Sequence, residues 1–354
     1  MPVNTSRTTY REHTDTENIL KLRQVLSTLP AFCKDYFRAI DSTTTTKTRI
    51  SYAYDIRIFF QFLLDENPAF KNYAMTDFSV AVLDQIKAVD LEEYMEYLKV
   101  YQNGDKTETN GERGLKRKIS ALRSFYAYYY KREMIHTNPT VLIDVPKIHD
   151  KSIIRLDTDE VALLLDYIEH CGDSLTGQKR VYYEKTKERD LAIVTLLLGT
   201  GIRVSECVGL DIEDVDFKNN GIKVTRKGGN EMVVYFGEEV EKALKHYLEI
   251  REGITPLAGH EHALFYSAQR KRMGVQAVEN MVKKYSRQIT TTKKITPHKL
   301  RSTYGTALYQ ETGDIYLVAD VLGHKDVNTT KKHYAALDDA RRRQAATAVR
   351  LRED

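Results

Sequence analysis

Apolar residues recur at helical spacing through most of the chain, and at the strand period of two only in a short central segment. In the first half, stretches 18–29 and 31–40 read as amphipathic helices broken by Pro30. Asp41, Ser42 and the threonines at 43–46 suit a loop and helix N-cap. Ile50, Tyr54, Ile58 and Phe62 then mark the stripe of a helix over 47–64, whose first turn turns Lys47 and Arg49 outward. A further helix is expected over 89–101, a loop over the glycine-bearing stretch 103–111 and a long helix over 112–133.

Pro139 and Pro146 break that pattern, and the run 145–152, with Pro146, Lys147, His149 and Lys151, reads as a linker. Thr158 followed by Asp159 and Glu160 opens the next helix, with acidic residues where the helix dipole favours them. Residues 188–198 are apolar nearly all round, the mark of a buried helix, which ends at Gly199-Thr200-Gly201. Three strand-like runs, 215–217, 222–225 and 232–236, are divided by Asn219-Asn220-Gly221 and Gly228-Gly229-Asn230 turns. From 238 onward the pattern is helical again, apart from loops near 253–262 and 290–296. The expected fold is mainly α with a small antiparallel β-sheet.

Composition narrows this. With 354 residues and 42% hydrophobic content, the chain can bury two cores. No stretch approaches the roughly 20 uncharged apolar residues of a bilayer span, and Met1 to Thr5 lack a signal pattern. A cytoplasmic protein without a membrane anchor is the expectation. Cys33, Cys171 and Cys207 are odd in number and widely spaced, which points to buried thiols rather than disulfides or a paired-cysteine zinc site. The net charge of +4 says little about a polyanionic partner, but its distribution says more. The 112–133 helix carries Arg113, Lys116, Arg117, Lys118, Arg123, Lys131 and Arg132 among Leu115, Ile119, Leu122, Phe125 and four tyrosines. That pattern fits either a solvated face over a core stripe or a surface that neutralises phosphates. Lys47, Arg49, Lys116, Arg117, Lys118 and Arg123 are the candidate DNA contacts.

The candidate chemistry suits a phosphodiester. Arg203 follows a glycine-bearing turn, and Arg301 lies three residues beyond His298, on one helical face. Two guanidiniums can fork onto phosphate oxygens. Lys227 ends the second strand before Gly228-Gly229, His324 follows Leu322-Gly323, and Tyr334 comes ten residues later, after His333. Each residue taken singly has an ordinary structural role open to it. A calcium loop at Asp211, Glu213, Asp214 and Asp216 fails, because Asp216 stands where such a loop needs glycine and Ile222 where it needs glutamate. Those carboxylates read as a solvated turn.

Gly199-Thr200-Gly201-Ile202-Arg203-Val204-Ser205-Glu206, Thr296-Pro297-His298-Lys299-Leu300-Arg301, Leu322-Gly323-His324 and His333-Tyr334, with Lys227 between strands, resemble the signature of the tyrosine recombinase (phage integrase) family. The chain looks most like the single-protein Xer recombinases of Gram-positive bacteria. The resemblance implies a helical DNA core-binding domain over 1–146, a linker over 147–153 and a mixed α+β catalytic domain over 154–354. It implies that Tyr334 attacks a DNA phosphate to leave a 3′-phosphotyrosyl intermediate, exchanging strands through a Holliday junction. Arg203 and Arg301 would stabilise the transition state, Lys227 protonate the leaving 5′-oxygen, His298 assist proton transfer and His324 bond the phosphate, with Glu206 orienting the cluster. Ser302 stands where many relatives carry a second histidine. No cofactor or metal is implied. The implied partners are double-stranded DNA at a specific recombination site and three further copies of the chain, a homo-tetramer on two duplexes; an accessory protein is left open. Residues 337–351 resemble a terminal helix that docks on a neighbouring subunit or on its own domain. Chromosome dimer resolution is the leading role; integration or excision of a mobile element, a type IB topoisomerase and a non-catalytic DNA-binding regulator are the alternatives.

Overall fold

In a computed structural model of the chain, residues 9–149, 153–226, 229–324, 326–328 and 330 are described. The chain divides into two compact units, Met1–Asp150 and Lys151–Asp354.

The first unit is helical: α1 (Tyr10–Leu26), α2 (Cys33–Ala39), α3 (Thr46–Glu66), the short α4 (Val82–Gln85), α5 (Ala88–Tyr97) and α6 (Glu112–Tyr130). The apolar stripe of α3 centres on Ile56, Phe59, Phe60 and Leu63, one position round from the expected one, so Tyr54 and Ile58 are only half-buried. Phe60, Phe125, Tyr129 and Tyr36 join Phe32 in an aromatic cluster, with the Phe125 and Tyr129 rings 5.0 Å apart. Tyr126 and Tyr129 of α6 belong to this core and the half-buried Tyr128 packs against it, whereas Tyr130 is exposed. Tyr129 Oη donates to the Phe32 carbonyl (2.7 Å) and Tyr126 Oη to that of Leu83 (3.3 Å).

The expected loop at 103–111 is instead part of a hairpin. β1 (Val100–Asn103) pairs antiparallel with β2 (Lys106–Thr109) around a two-residue turn, with Gly104 at φ 61° in its first position. Both strands are exposed on nearly every residue, so no alternation betrays them in the sequence. The 89–101 helix accordingly stops at Tyr97.

The second unit is built round α8 (Gly177–Thr200), which buries Ala192, Ile193, Val194, Leu196 and Leu197 and is longer than its apolar 188–198 segment. Packed on it are α7 (Thr158–His170), α10 (Glu238–Glu252) and α12 (Pro297–Thr312), with α11 (Val275–Ile289) against α7. The short α9 (Val204–Gly209) leads into a sheet of β3 (Val215–Asp216), β4 (Gly221–Thr225) and β5 (Glu231–Tyr235), in that order and antiparallel. Its hydrophobic pairs, Ile222 opposite Val234 among them, face the core. The connection after α10 runs past 262 to residue 274, because Arg251 draws Ala263 and Leu264 inward through their carbonyls (2.8 and 3.1 Å). Asp211 is not a solvated turn residue: it accepts from Arg272. The last described helix is α13 (Ile315–Leu322).

Candidate active site

The C-terminal end of α13 organises the site. Gly323, at φ 61°, donates its N–H to the Asp320 carbonyl (2.8 Å), and His324 donates to that of Ala319 (2.9 Å). This is a Schellman turn, and it leaves the carbonyls of 321, 322 and 323 to find other donors. Three arginines supply them. Arg226 Nη2 donates to Val321 O (2.6 Å), Arg301 Nη2 to Leu322 O, and Arg203 Nη2 to Gly323 O (3.4 Å). Orphan carbonyls at the negative end of a helix dipole favour cations, so one helix end gathers three guanidiniums from three distant parts of the chain.

Each guanidinium is further constrained. Arg301, 4% exposed, also donates through Nη1 to the Gly201 carbonyl, which fixes the plane of its fork. Gly201 turns the end of α8 at φ 62°; a Cβ there would lie 2.3 Å from Tyr304 Cδ1 and 2.9 Å from Leu322 Cδ2. Only glycine lets α8, α12 and α13 close this tightly while presenting that carbonyl. Arg203 is the N-cap of α9, and the buried Glu206 accepts both from its main-chain N–H (2.8 Å) and from Nη1 (2.8 Å). The Arg203 side chain keeps 34% of its surface accessible. His324 Nδ1 lies 2.7 Å from the hydroxyl of buried Thr330, which puts Nε2 on the opposite side of the ring.

His298, in the first turn of α12 just after the buried Pro297, is itself exposed, whereas Arg301 is buried, so the two lie at different depths. The Ser302 hydroxyl donates to the His298 carbonyl in its own helix (3.1 Å). Lys227 and Tyr334 fall outside the described residues.

Arg226 went unnoticed in the sequence. It immediately precedes Lys227, but only the tertiary contact with α13 separates it from an ordinary strand-end cation. Burial pushes its ionisation down from the usual range; Glu206 opposes this, the like charge of Arg203 reinforces it and Asp320 opposes it in turn.

The candidate DNA contacts of the first unit divide. Lys47 and Lys116 are exposed, and Arg117 is about half exposed (48%) while reaching Asp55. Lys118 is instead buried, its ammonium 3.2 Å from the buried Asp55 carboxylate. Burial nonetheless raises the Asp55 carboxyl above its usual range, against the pull of Lys118 and Arg117. Arg49 does not face outward: it pairs with Asp41 and is 13% exposed. Arg123 binds the carbonyls of Thr140 (3.0 Å) and Ile143 (2.7 Å).

The sequence pattern of the phage integrase family matches residues 155–341. The tyrosine recombinase XerC of Caldanaerobacter subterraneus subsp. tengcongensis is 32% identical over 328 residues, covering 90% of this chain and 86% of its own. This chain belongs to the phage integrase family of tyrosine recombinases. The recombinase is also 30% identical to the tyrosine recombinase XerS of Streptococcus uberis, over 90% of this chain and 95% of that one. It is a site-specific enzyme that breaks and rejoins DNA. Among solved structures, the XerH site-specific recombinase bound to a palindromic difH substrate matches with a TM-score of 0.64 and 19% identity, covering 97% of this chain and 90% of that one. The Tn1549 transposon integrase in complex with a circular intermediate DNA matches at 0.63 and 21%, covering 89% of this chain and 98% of that one. Both place the recombinase in the same fold.

Proposed function

We propose that this recombinase cuts double-stranded DNA at a specific site with Tyr334 as nucleophile. The phenolic oxygen attacks the scissile phosphorus, the bond to the 5′-oxygen breaks, and the DNA end is held as a 3′-phosphotyrosyl ester beside a free 5′-hydroxyl. The observation that carries this reading is the gathering of Arg203 and Arg301 on the end of α13, one residue before His324. Fixed guanidiniums aimed at a phosphate stabilise the charge that grows in the transition state, the part divalent ions take in other phosphoryl-transfer enzymes. Lys227 gives its proton to the leaving 5′-oxygen, His298 assists removal of the tyrosine proton, and His324 donates to a non-bridging oxygen.

The first unit, 1–146 with a linker over 147–153, holds the duplex, and the catalytic domain spans 154–354. Lys47, Lys116 and Arg117 remain as phosphate contacts; Arg49, Lys118 and Arg123 serve the fold. Strand exchange through a Holliday junction joins four copies on two duplexes in the cytoplasm. The biological role is resolution of chromosome dimers, supported by the XerC and XerS names of relatives alignable over 90% of the chain.

A duplex nicked close to the cleavage point tests the chemistry. The wild-type chain should accumulate a covalent complex, and Tyr334→Phe none; a covalent complex with the variant would reassign the nucleophile. A deletion strain should accumulate unresolved chromosome dimers. Normal segregation with lost excision of a mobile element would instead favour the integrase role.

A further inference from the structure

We propose that Thr330 is a positioning residue for His324: its hydroxyl donates to Nδ1, which sets the turn of the imidazole and places the proton of the neutral ring on Nε2. The inference rests on His324 donating to a non-bridging phosphate oxygen, as proposed above. Two anchors fix the main chain from which this ring projects. The His324 N–H donates to the Ala319 carbonyl (2.9 Å) in the Schellman turn, and the preceding Gly323 carbonyl accepts from Arg203 Nη2 (3.4 Å). Neither contact restrains rotation of the side chain. The partner that does lies six residues on. There the Asp326 carboxylate accepts from the Asn328 N–H (2.9 Å), an Asx turn just ahead of Thr330.

Thr330 is fully buried (0% exposed), and its Oγ1 lies 2.7 Å from His324 Nδ1. A hydroxyl can donate or accept, and so can a nitrogen of neutral imidazole according to the tautomer, so distance alone admits either direction. Burial decides it. Among the described residues Oγ1 has no other hydrogen-bond partner, main-chain carbonyls included. Were Nδ1 the donor, the hydroxyl hydrogen would be buried with no acceptor; with Nδ1 as acceptor, only spare lone pairs go unused. Proteins tolerate an under-satisfied oxygen more readily than an orphaned donor. Nδ1 therefore accepts, and the other ring nitrogen carries the proton. The half-buried ring then presents Nε2–H on the side away from Thr330, as the donor a phosphate oxygen takes. Free rotation would let a ring carbon face the phosphate instead.

The ring itself reports the outcome. The full chain is isotopically labelled in its histidine ring nitrogens, and His324→Ala assigns the signals. At alkaline pH, where imidazoles are neutral, the wild-type spectrum should show the His324 proton on Nε2 and a hydrogen-bonded Nδ1. Thr330→Val keeps the shape and loses the donor. Its Nδ1 signal should move to that of an unbonded acceptor, while melting and DNA affinity stay near wild type. Single-turnover cleavage of the nicked duplex should fall about tenfold, short of the roughly 10²-fold that a misplacement of about 1 Å costs. Thr330→Ser, which restores the hydroxyl, should restore both signal and rate. In a His324→Ala background Thr330→Val should cost nothing further, because its effect passes through the ring. A wild-type proton on Nδ1, a wild-type rate for Thr330→Val, or a Thr330→Val deficit that persists without His324 overturns the inference. The wild-type spectrum decides the direction of the bond even where Thr330→Val does not fold. If His324→Ala itself cleaves at the wild-type rate, the phosphate role of His324 fails instead, and the inference with it.

Discussion

Arg203 reaches its place through Glu206, a carboxylate 6% exposed that takes two bonds from the same residue, one from the main chain and one from the guanidinium. A charged acceptor makes the stronger hydrogen bond, and its burial means that nothing else can replace it cheaply. Glu206→Gln keeps the shape but turns one end into a donor facing the donors of Arg203. We expect single-turnover cleavage to fall at least tenfold, about 1.4 kcal/mol of transition-state stabilisation, with DNA affinity nearly unchanged. An unaltered rate would show that Gly323 alone orients Arg203. Glu206 was readable in the sequence as one turn beyond Arg203; that it is buried and doubly bonded was not, because its neighbours come from elsewhere in the fold.

At the scale of the element, α6 shows how a basic helix is divided by its surroundings. Charge pattern alone makes Lys116, Arg117 and Lys118 equivalent candidates, yet Lys116 is exposed and Lys118 is 5% exposed against Asp55 of α3. The two lysines should therefore fail differently. Lys116→Ala should leave the melting temperature alone and reduce the salt slope of DNA binding by about 1. Lys118→Met should leave that slope unchanged and cost stability near the low end of the ~3–5 kcal/mol seen when a buried pair is broken, since Arg117 still faces Asp55. The sign of the pH dependence follows from Asp55, whose carboxyl is already raised by burial. A raised acid disfavours folding as pH rises through its folded-state pKa, and losing Lys118 raises it further. The Lys118→Met deficit should thus be greatest at neutral pH and shrink on acidification, measured by urea unfolding across the acid range. A deficit independent of pH would separate Lys118 from Asp55.

For the whole molecule, the proposed strand exchange between two duplexes calls for several copies acting together, and the sequence carries a candidate for the contact proposed between them. The segment 337–351 alternates Leu337, Ala340, Ala345, Ala348 and Val349 with Arg341, Arg342, Arg343 and Arg350; it lies outside the described residues. A chain lacking residues 340–354 should still bind a single site but load the second copy without cooperativity in band-shift titrations. Unchanged cooperative assembly would place the subunit contact elsewhere.

Sequence alone determined the mainly helical fold, the three-stranded sheet and the family, because these rest on local periodicity, turn residues and ordered motifs such as Thr296-Pro297-His298-Lys299-Leu300-Arg301. It did not reveal the β1–β2 hairpin, whose two polar strands carry no periodic signal. Tertiary structure decided which cations face solvent and which are consumed in the fold, since burial and pairing join residues far apart in the chain. Lys118 meets Asp55 across 63 positions, Arg226 meets Val321 across 95, and Arg203 meets Gly323 across 120. The convergence of three arginines on one helix end follows from that: the Schellman turn at Gly323 leaves three carbonyls unmet, and only the folded chain brings the donors to them.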